Sequence, residues 1–301
     1  MIRSFSELRA RLTDAEPLTA VIACAHDAHT LEAALKASAE GIIRCLYVGR
    51  KDDILRIARE LGHALHPETV LNADTDEEAA ALAVQLIREG KGDFLQKGLM
   101  QTATLLKAVV NKQTGIGMGA PMSHVALLEV PGYHKLLGVT DGGMIPNPDL
   151  ELKKAIARNA AGTFRRLGYD RPLLAAVCAA ETVSPKIVET VDAAALKEAA
   201  LAGDFGACYL EGPISIDLAL DKSSAAVKRY ESPVCGETDC LIVPAMTAGN
   251  MTVKGLVQFA GAKMAGVVVG ARCPIALNSR SASFEEKYDS ILLCACVSQE
   301  A

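Results

Sequence analysis

Short apolar runs rich in β-branched residues alternate with longer stretches of helical periodicity along most of the chain. TAVIACA (19–25), IIRCLYVG (42–49), HVALLEV (124–130), LLGVTD (136–141), LLAAVCAA (173–180), CYLEGP (208–213), CLIVPA (240–245) and GVVVGA (266–271) read as strands. Helical patterns stand between them, around 31–39, 52–62, 75–90, 102–112, after Pro148, over 192–203 and after Asn250. Thr75 and Glu78 open one of these as a capping box. Strands separated by helices are joined by crossovers, so the expected class is α/β with helices on both faces of largely parallel sheets. A length of 301 residues is a soft prior for two domains. A boundary is expected near Gly132–Lys135, where VPGYHK breaks the apolar pattern between two strands, and the C-terminal segment is expected to return to the first domain.

Composition excludes several classes of function. The formal net charge of −5 and the scattered basic residues leave no footprint for nucleic acid or a membrane surface. No apolar run approaches the roughly 20 residues needed to span a bilayer. Ile2, Phe5, Leu8 and Leu12 space like one helix face in a segment that also carries Glu7, which suits a docking helix better than a cleaved leader, and a cytoplasmic protein is expected. The nine cysteines form no CxxC pair and sit mostly in apolar runs, so buried free thiols are expected.

In open parallel sheets, ligands bind beyond the carboxyl ends of strands. The loops HDAH, KGLMQT, TDGGMIPNP, AETVSP, PAMTAGN and NSRSAS lie at such ends. His26, Asp27 and His29 lack further donors at metal-ligand spacing, so no metal is expected. GIGMGAPMSH (115–124) follows a helix, not a strand, and fails the dinucleotide fingerprint on context. Its terminal Ser123 and His124 suit either a strand terminus or a ligand. Lys97 ends a strand, Thr102 and Thr104 lie in the first turn of a helix, and Lys107 follows about one turn later. Such hydroxyls cap free amides and such lysines are usually solvated, yet the same parts receive a phosphate at a helix N-terminus. Gly249-Asn250 reads as a turn and cap, with the Asn250 amide also placed to meet a ligand. In PIALNSRSASFEEKYDSILL (274–293), Ser283 caps a helix and Glu286 falls at the N3 position of a capping box. Ser279 and Arg280 are left without a structural assignment, and a guanidinium beside helix-terminal amides receives an oxyanion or phosphate.

The segments KGLMQTATLLKAVVNK, MSHVALLEVPGYHKLLGVTDGGMIPNPDLELKKAI, EGPISIDLAL, LIVPAMTAGNMTVKGL and LNSRSASFEEK occur in an order that resembles the phosphate acetyl/butyryltransferase family, most closely its butyryl-transferring members. The resemblance implies two α/β/α domains of the isocitrate-dehydrogenase-like type, with the active site in the cleft between them. The first domain, 1–135 plus 266–301, would be discontinuous and the second would be 136–265. It also implies reversible acyl transfer between coenzyme A and phosphate, with coenzyme A as substrate, no cofactor, and at least a homodimer. The family's catalytic Ser-Arg pair falls on Ser279 and Arg280, and its acidic residue six positions beyond the arginine falls on Glu286, where the acetyl enzymes have Asp. Lys97, Thr102, Thr104, Lys107, Ser123, His124, Asn250 and Ser283 become the expected phosphate and coenzyme A contacts. Two departures stand out: Lys107 replaces a common Arg, and Pro121-Met122 occupy the place of an Arg expected before the Ser-His pair.

Overall fold

The computed structural model describes residues 1–280 and 282–299. The chain divides into two compact units. Of the described residues, the first holds Phe5–Ala120 and those from Ala265 to Gln299, and the second holds Met1–Ser4 and Pro121–Met264.

The first unit opens with α1 (Phe5–Ala10), β1 (Leu18–Ala23), α2 (Ala28–Ala39), β2 (Ile43–Gly49), α3 (Lys51–Glu60), β3 (Val70–Asn72), α4 (Asp76–Arg88), β4 (Phe94–Lys97) and α5 (Thr102–Val109). The second contains β5 (Ser123–Glu129), β6 (Leu137–Thr140), α6 (Leu150–Arg166), β7 (Leu173–Val177), α7 (Val188–Leu201), β8 (Tyr209–Ile214), α8 (Ile216–Leu220), α9 (Lys222–Lys228), β9 (Cys240–Ile242) and α10 (Met246–Ala260). The division at Met264/Ala265 falls within β10 (Lys263–Val269), after which β11 (Ile275–Ala276) and α11 (Phe284–Ser298) complete the first unit.

In the first unit the strand order is β3-β2-β1-β4-β11-β10, parallel except for β10 against β11. All four residues of β4 are buried, as expected of a strand covered on both faces. Because β1, β4 and β11 are parallel neighbours, their carboxyl ends bring Cys24–His26, Lys97 and Asn278–Arg280 to one edge. The start of α4 carries the reciprocal Thr75–Glu78 capping box. In the second unit the order is β5-β6-β9-β7-β8, with only β5–β6 antiparallel, around a core that includes Leu128, Val139, Ala175, Ile214 and Leu241. All nine cysteines are free and all but Cys178 are buried. Among the described residues, no helix is long and apolar enough to cross a membrane.

Two expectations need correction. The chain passes between units at Ala120–Pro121, not near Gly132–Lys135. VPGYHK is instead the turn of the β5–β6 hairpin and is bonded to a distant segment of the same unit. Tyr133 Oη donates to the Thr238 carbonyl at 2.7 Å, His134 Nε2 lies 3.0 Å from Glu237, and Lys135 Nζ donates to Asp239 Oδ1 at 2.6 Å. The second correction concerns α10, which begins at Met246, so Gly249 and Asn250 lie inside the helix and are not its cap. Gly249 is needed there: a Cβ would stand 2.9 Å from the Gly142 Cα, a backbone contact that cannot yield cheaply.

The Lys135–Asp239 pair is almost wholly buried, with side-chain exposures of 2% and 4%, and Asp239 also accepts from the Leu173 amide at 2.7 Å. Lys135→Met leaves the Asp239 carboxylate buried without its cation. The expected cost is about 3–5 kcal/mol, read as a lowered midpoint in urea unfolding.

Candidate active site

The end of β11 and the start of α11 are built around Asn278. This buried side chain donates through Nδ2 to Ser290 Oγ at 2.8 Å and to Glu286 Oε1 at 3.3 Å. Ser290 Oγ in turn accepts from the Gly266 amide of β10 at 2.9 Å and donates to the Glu286 carbonyl at 2.7 Å. Ser279 and Arg280 are therefore held in an exposed turn between two anchored elements, closed by the Ala282 amide donating to the Ser279 carbonyl at 3.1 Å. Arg280 is exposed and forms no ion pair among the described residues, so its donors are available.

Ser283 caps α11, its Oγ accepting from the Glu286 amide at 3.2 Å. The expected capping box is only half made. The Glu286 carboxylate turns to Asn278 instead of back to the Ser283 amide, and burial raises its pKa above the ordinary value of 4.5, against the lowering influence of Asn278 and Lys287. The desolvated carboxylate is a proton acceptor held by Asn278, the residue that precedes the exposed Ser279–Arg280 turn.

The buried lysines nearby are differently employed. Lys97 Nζ donates to the carbonyls of Gly98 and Met100, both at 3.1 Å, so it pins the turn after β4. Burial, with the cations of Lys287 and Arg280 close by, pushes Lys97 down to about 8 despite the Asp27 carboxylate. Lys287 Nζ donates to Thr30 Oγ1 at 2.6 Å and pairs with Asp27 at 3.3 Å, while Asp27 caps α2. Lys97 contributes a positive potential at the sheet edge and holds a turn, with its donors largely spent.

Thr102 begins α5, whose N-cap Gln101 supplies no side-chain bond to the helix amides. Thr104 and Lys107 line a cavity of about 910 Å³ along α4 and α5, together with Glu77, Arg88 and Arg272. Ser279, Arg280 and Glu286 are not among its lining residues. The structure thus separates the expected contacts within this unit into two places, the Asn278–Glu286 turn and the α4–α5 cavity. In the second unit Ser123 is fully buried, and its hydroxyl accepts from Asn159 Nδ2 at 3.0 Å, which ties β5 to α6. His124 is buried with Nδ1 unpartnered, and burial lowers its pKa to about 4, so the imidazole is neutral. Asn250 donates to the Gly142 carbonyl at 3.2 Å. Asp141 spends its carboxylate on the amides of Gly143, Met144 and Ile145. Asn278 was missed by sequence reasoning, and its only signal was its place beside the Ser-Arg pair.

The fold is that of the phosphotransacylases. A branched-chain phosphotransacylase from Enterococcus faecalis V583 matches with a TM-score of 0.82 and 30% identity over 94% of this chain and 100% of that one. The family model described as "Phosphate acetyl/butaryl transferase" matches residues 68–295, and the chain belongs to that family of phosphate acyltransferases. Phosphate butyryltransferase of Clostridium acetobutylicum is 35% identical over 99% of both chains. Phosphate acetyltransferase of Rhizobium meliloti is 37% identical over 93% of this chain and 88% of its own.

The raised pKa of Glu286 makes a stability prediction that is independent of activity. Between 4.5 and the raised value, the folded chain keeps a proton that the unfolded chain has released, so stability falls as pH rises through that window. Glu286→Gln keeps an oxygen for Asn278 and cannot ionise. Calorimetry should show it melting above the wild type at pH 8, with the difference closing at pH 4.

Proposed function

We propose that the protein catalyses butyryl-CoA + phosphate ⇌ butyryl phosphate + CoA by direct acyl transfer in a ternary complex. The observation that carries this reading is the Glu286 carboxylate, withdrawn from its helix cap and held by Asn278 beside the exposed Ser279–Arg280 turn. From the acyl phosphate side, the CoA thiol gives up its proton, attacks the carbonyl carbon and expels phosphate. A free thiol has a pKa of roughly 8.5, so a positioned base helps at neutral pH. Glu286 is that base, acting directly or through the Ser279 hydroxyl, and its raised pKa brings it nearer the optimum for the task.

Arg280 stabilises the charge that develops on the carbonyl oxygen and the departing phosphate, a contribution of about 3 kcal/mol to lowering the barrier. The Ser283 cap and the first amides of α11 present further positive potential to the same turn. Thr102, Thr104 and Lys107 contribute contacts to phosphate or CoA from α5. The transfer itself needs neither a redox cofactor nor a metal. The enzyme is read as a cytoplasmic homodimer. The 35% identity to a phosphate butyryltransferase supports butyryl as the acyl group. An acetyl reading is supported by the 37% identity to a phosphate acetyltransferase.

The activity test is thiol release from acyl-CoA, which should occur only when phosphate is added. Discrimination of about 10-fold or more in kcat/KM is expected for butyryl-CoA over acetyl-CoA, since each methylene contributes about 1–3 kcal/mol in an apolar pocket. The reverse order would favour acetyl. Glu286→Gln should lower kcat by roughly 10²–10⁴-fold and remove or move the acid limb of the pH profile. Full activity with an unchanged acid limb would reduce Glu286 to a helix residue. Arg280→Lys keeps the charge but loses the planar fork, so near-wild-type kcat in this variant would remove Arg280 from the mechanism.

A further inference from the structure

Three donor side chains that the acyl transfer does not use meet at the carboxyl end of β1. Cys24 and His26 follow that strand directly, and Asp76 is the first residue of α4. One ligand atom from each lies within 4.8 Å of the other two, and Cys24 Sγ donates to Asp76 Oδ1 at 3.3 Å. Cys24 is fully buried and His26 is 8% exposed. Nδ1 of His26 is buried with no hydrogen-bond partner. The ring also occupies a cradle that only glycine leaves open: a Cβ on Gly49 would stand 2.8 Å from Nδ1.

We infer that Cys24, His26 and Asp76 form a binding site for a divalent cation of the zinc class, with water as the fourth ligand. Thiolate, neutral imidazole and carboxylate are the donor types such an ion takes, and three protein ligands with one open position is a known arrangement. Zn–S near 2.3 Å and Zn–N near 2.1 Å place tetrahedral ligand atoms about 3.5 Å apart, so no pair of donors closes in by more than about 1.3 Å on binding. Binding exchanges one proton for the metal: the Cys24 S–H bond breaks, an S–Zn bond forms, and the proton leaves to solvent. The thiolate and the Asp76 carboxylate then balance the two positive charges. Arg50 and Lys97 face the cluster and oppose a cation, while Asp53 and Asp27 favour it. The bound ion ties the turn after β1 to the start of α4, next to the turn that Lys97 holds.

A cysteine acting alone as a redox sensor or nucleophile fits less well. Cys24 is fully buried and its Sγ is bonded to Asp76, whereas reactive cysteines stand partly exposed.

The test uses the full chain, exposed to zinc, dialysed, and assayed for metal by mass spectrometry, with Co²⁺ as a spectroscopic probe. The wild type should retain one equivalent of zinc, and Co²⁺ should give a thiolate charge-transfer band in the near ultraviolet. Cys24→Ser should abolish that band and weaken zinc binding by more than about 100-fold, beyond the 10–100-fold that outer-shell partners are worth. Asp76→Asn and His26→Gln should each weaken it too, so the site is tested even if one variant fails to fold, which thermal unfolding without metal will show. A wild type that retains no zinc at micromolar free metal overturns the site. So does equal retention by wild type and folded variants, which would place the metal on other cysteines, and so does a Co²⁺ complex without the thiolate band.

Discussion

The donation from Asn278 Nδ2 to Ser290 Oγ joins the end of a two-residue strand to the second turn of the last helix, and the candidate site hangs on that bond. Strand β11 is too short to fix its own exit direction by ladder bonds. Ser290 supplies the missing constraint because it also accepts from the Gly266 amide, so one hydroxyl is bonded to β10, to the exit of β11 and to its own helix. All three partners are buried or nearly so, where an unmade bond costs the full desolvation of the group left behind, about 1–3 kcal/mol. The Ser279–Arg280 turn can be exposed and still well placed because both of its ends are held in this way.

The same economy governs charge. Buried lysines are expensive unless each finds partners, and Lys97, Lys287 and Lys135 each do: two carbonyls, a hydroxyl with a carboxylate, and a carboxylate with a carbonyl. Those cations are spent on the fold. Arg280, by contrast, is exposed and without an ion pair among the described residues. A guanidinium suits that position because such groups keep their charge in proteins, whereas burial and the cations of Lys287 and Arg280 lower the affinity of Lys97 for protons.

Much of this was legible from the amino acids, and the failures share a cause. Strand and helix alternation is a local signal, and so is the Thr75–Glu78 box, so both were read correctly. The unit boundary was misplaced because VPGYHK looks like a linker by composition, whereas its Tyr133, His134 and Lys135 are bonded to Thr238, Glu237 and Asp239, about a hundred residues away. The start of α10 was misread because glycine-asparagine is a turn signal in isolation. What overrides it is the approach of the Gly142 backbone to Gly249, which only folding brings about. His26 was read with Asp27 and His29 as lacking further donors, because Asp76, which bonds to Cys24, is 52 residues beyond that cysteine.

The two capping sequences show where local reading stops. Thr75-x-x-Glu78 and Ser283-x-x-Glu286 are the same motif, and in both the hydroxyl accepts from the N3 amide. Glu78 completes its box, its exposed carboxylate accepting from the Thr75 amide at 3.2 Å and from the Asp74 amide at 2.9 Å. Glu286 does not, because Asn278 offers a competing donor in a less solvated place. The motif therefore predicts that a helix begins and which amide the hydroxyl receives, since those depend on backbone geometry alone. It says nothing about the carboxylate, whose partner is chosen by whatever tertiary structure stands alongside. A carboxylate diverted from its cap gives up a bond worth about a kcal/mol and gains desolvation, which raises the proton affinity of Glu286.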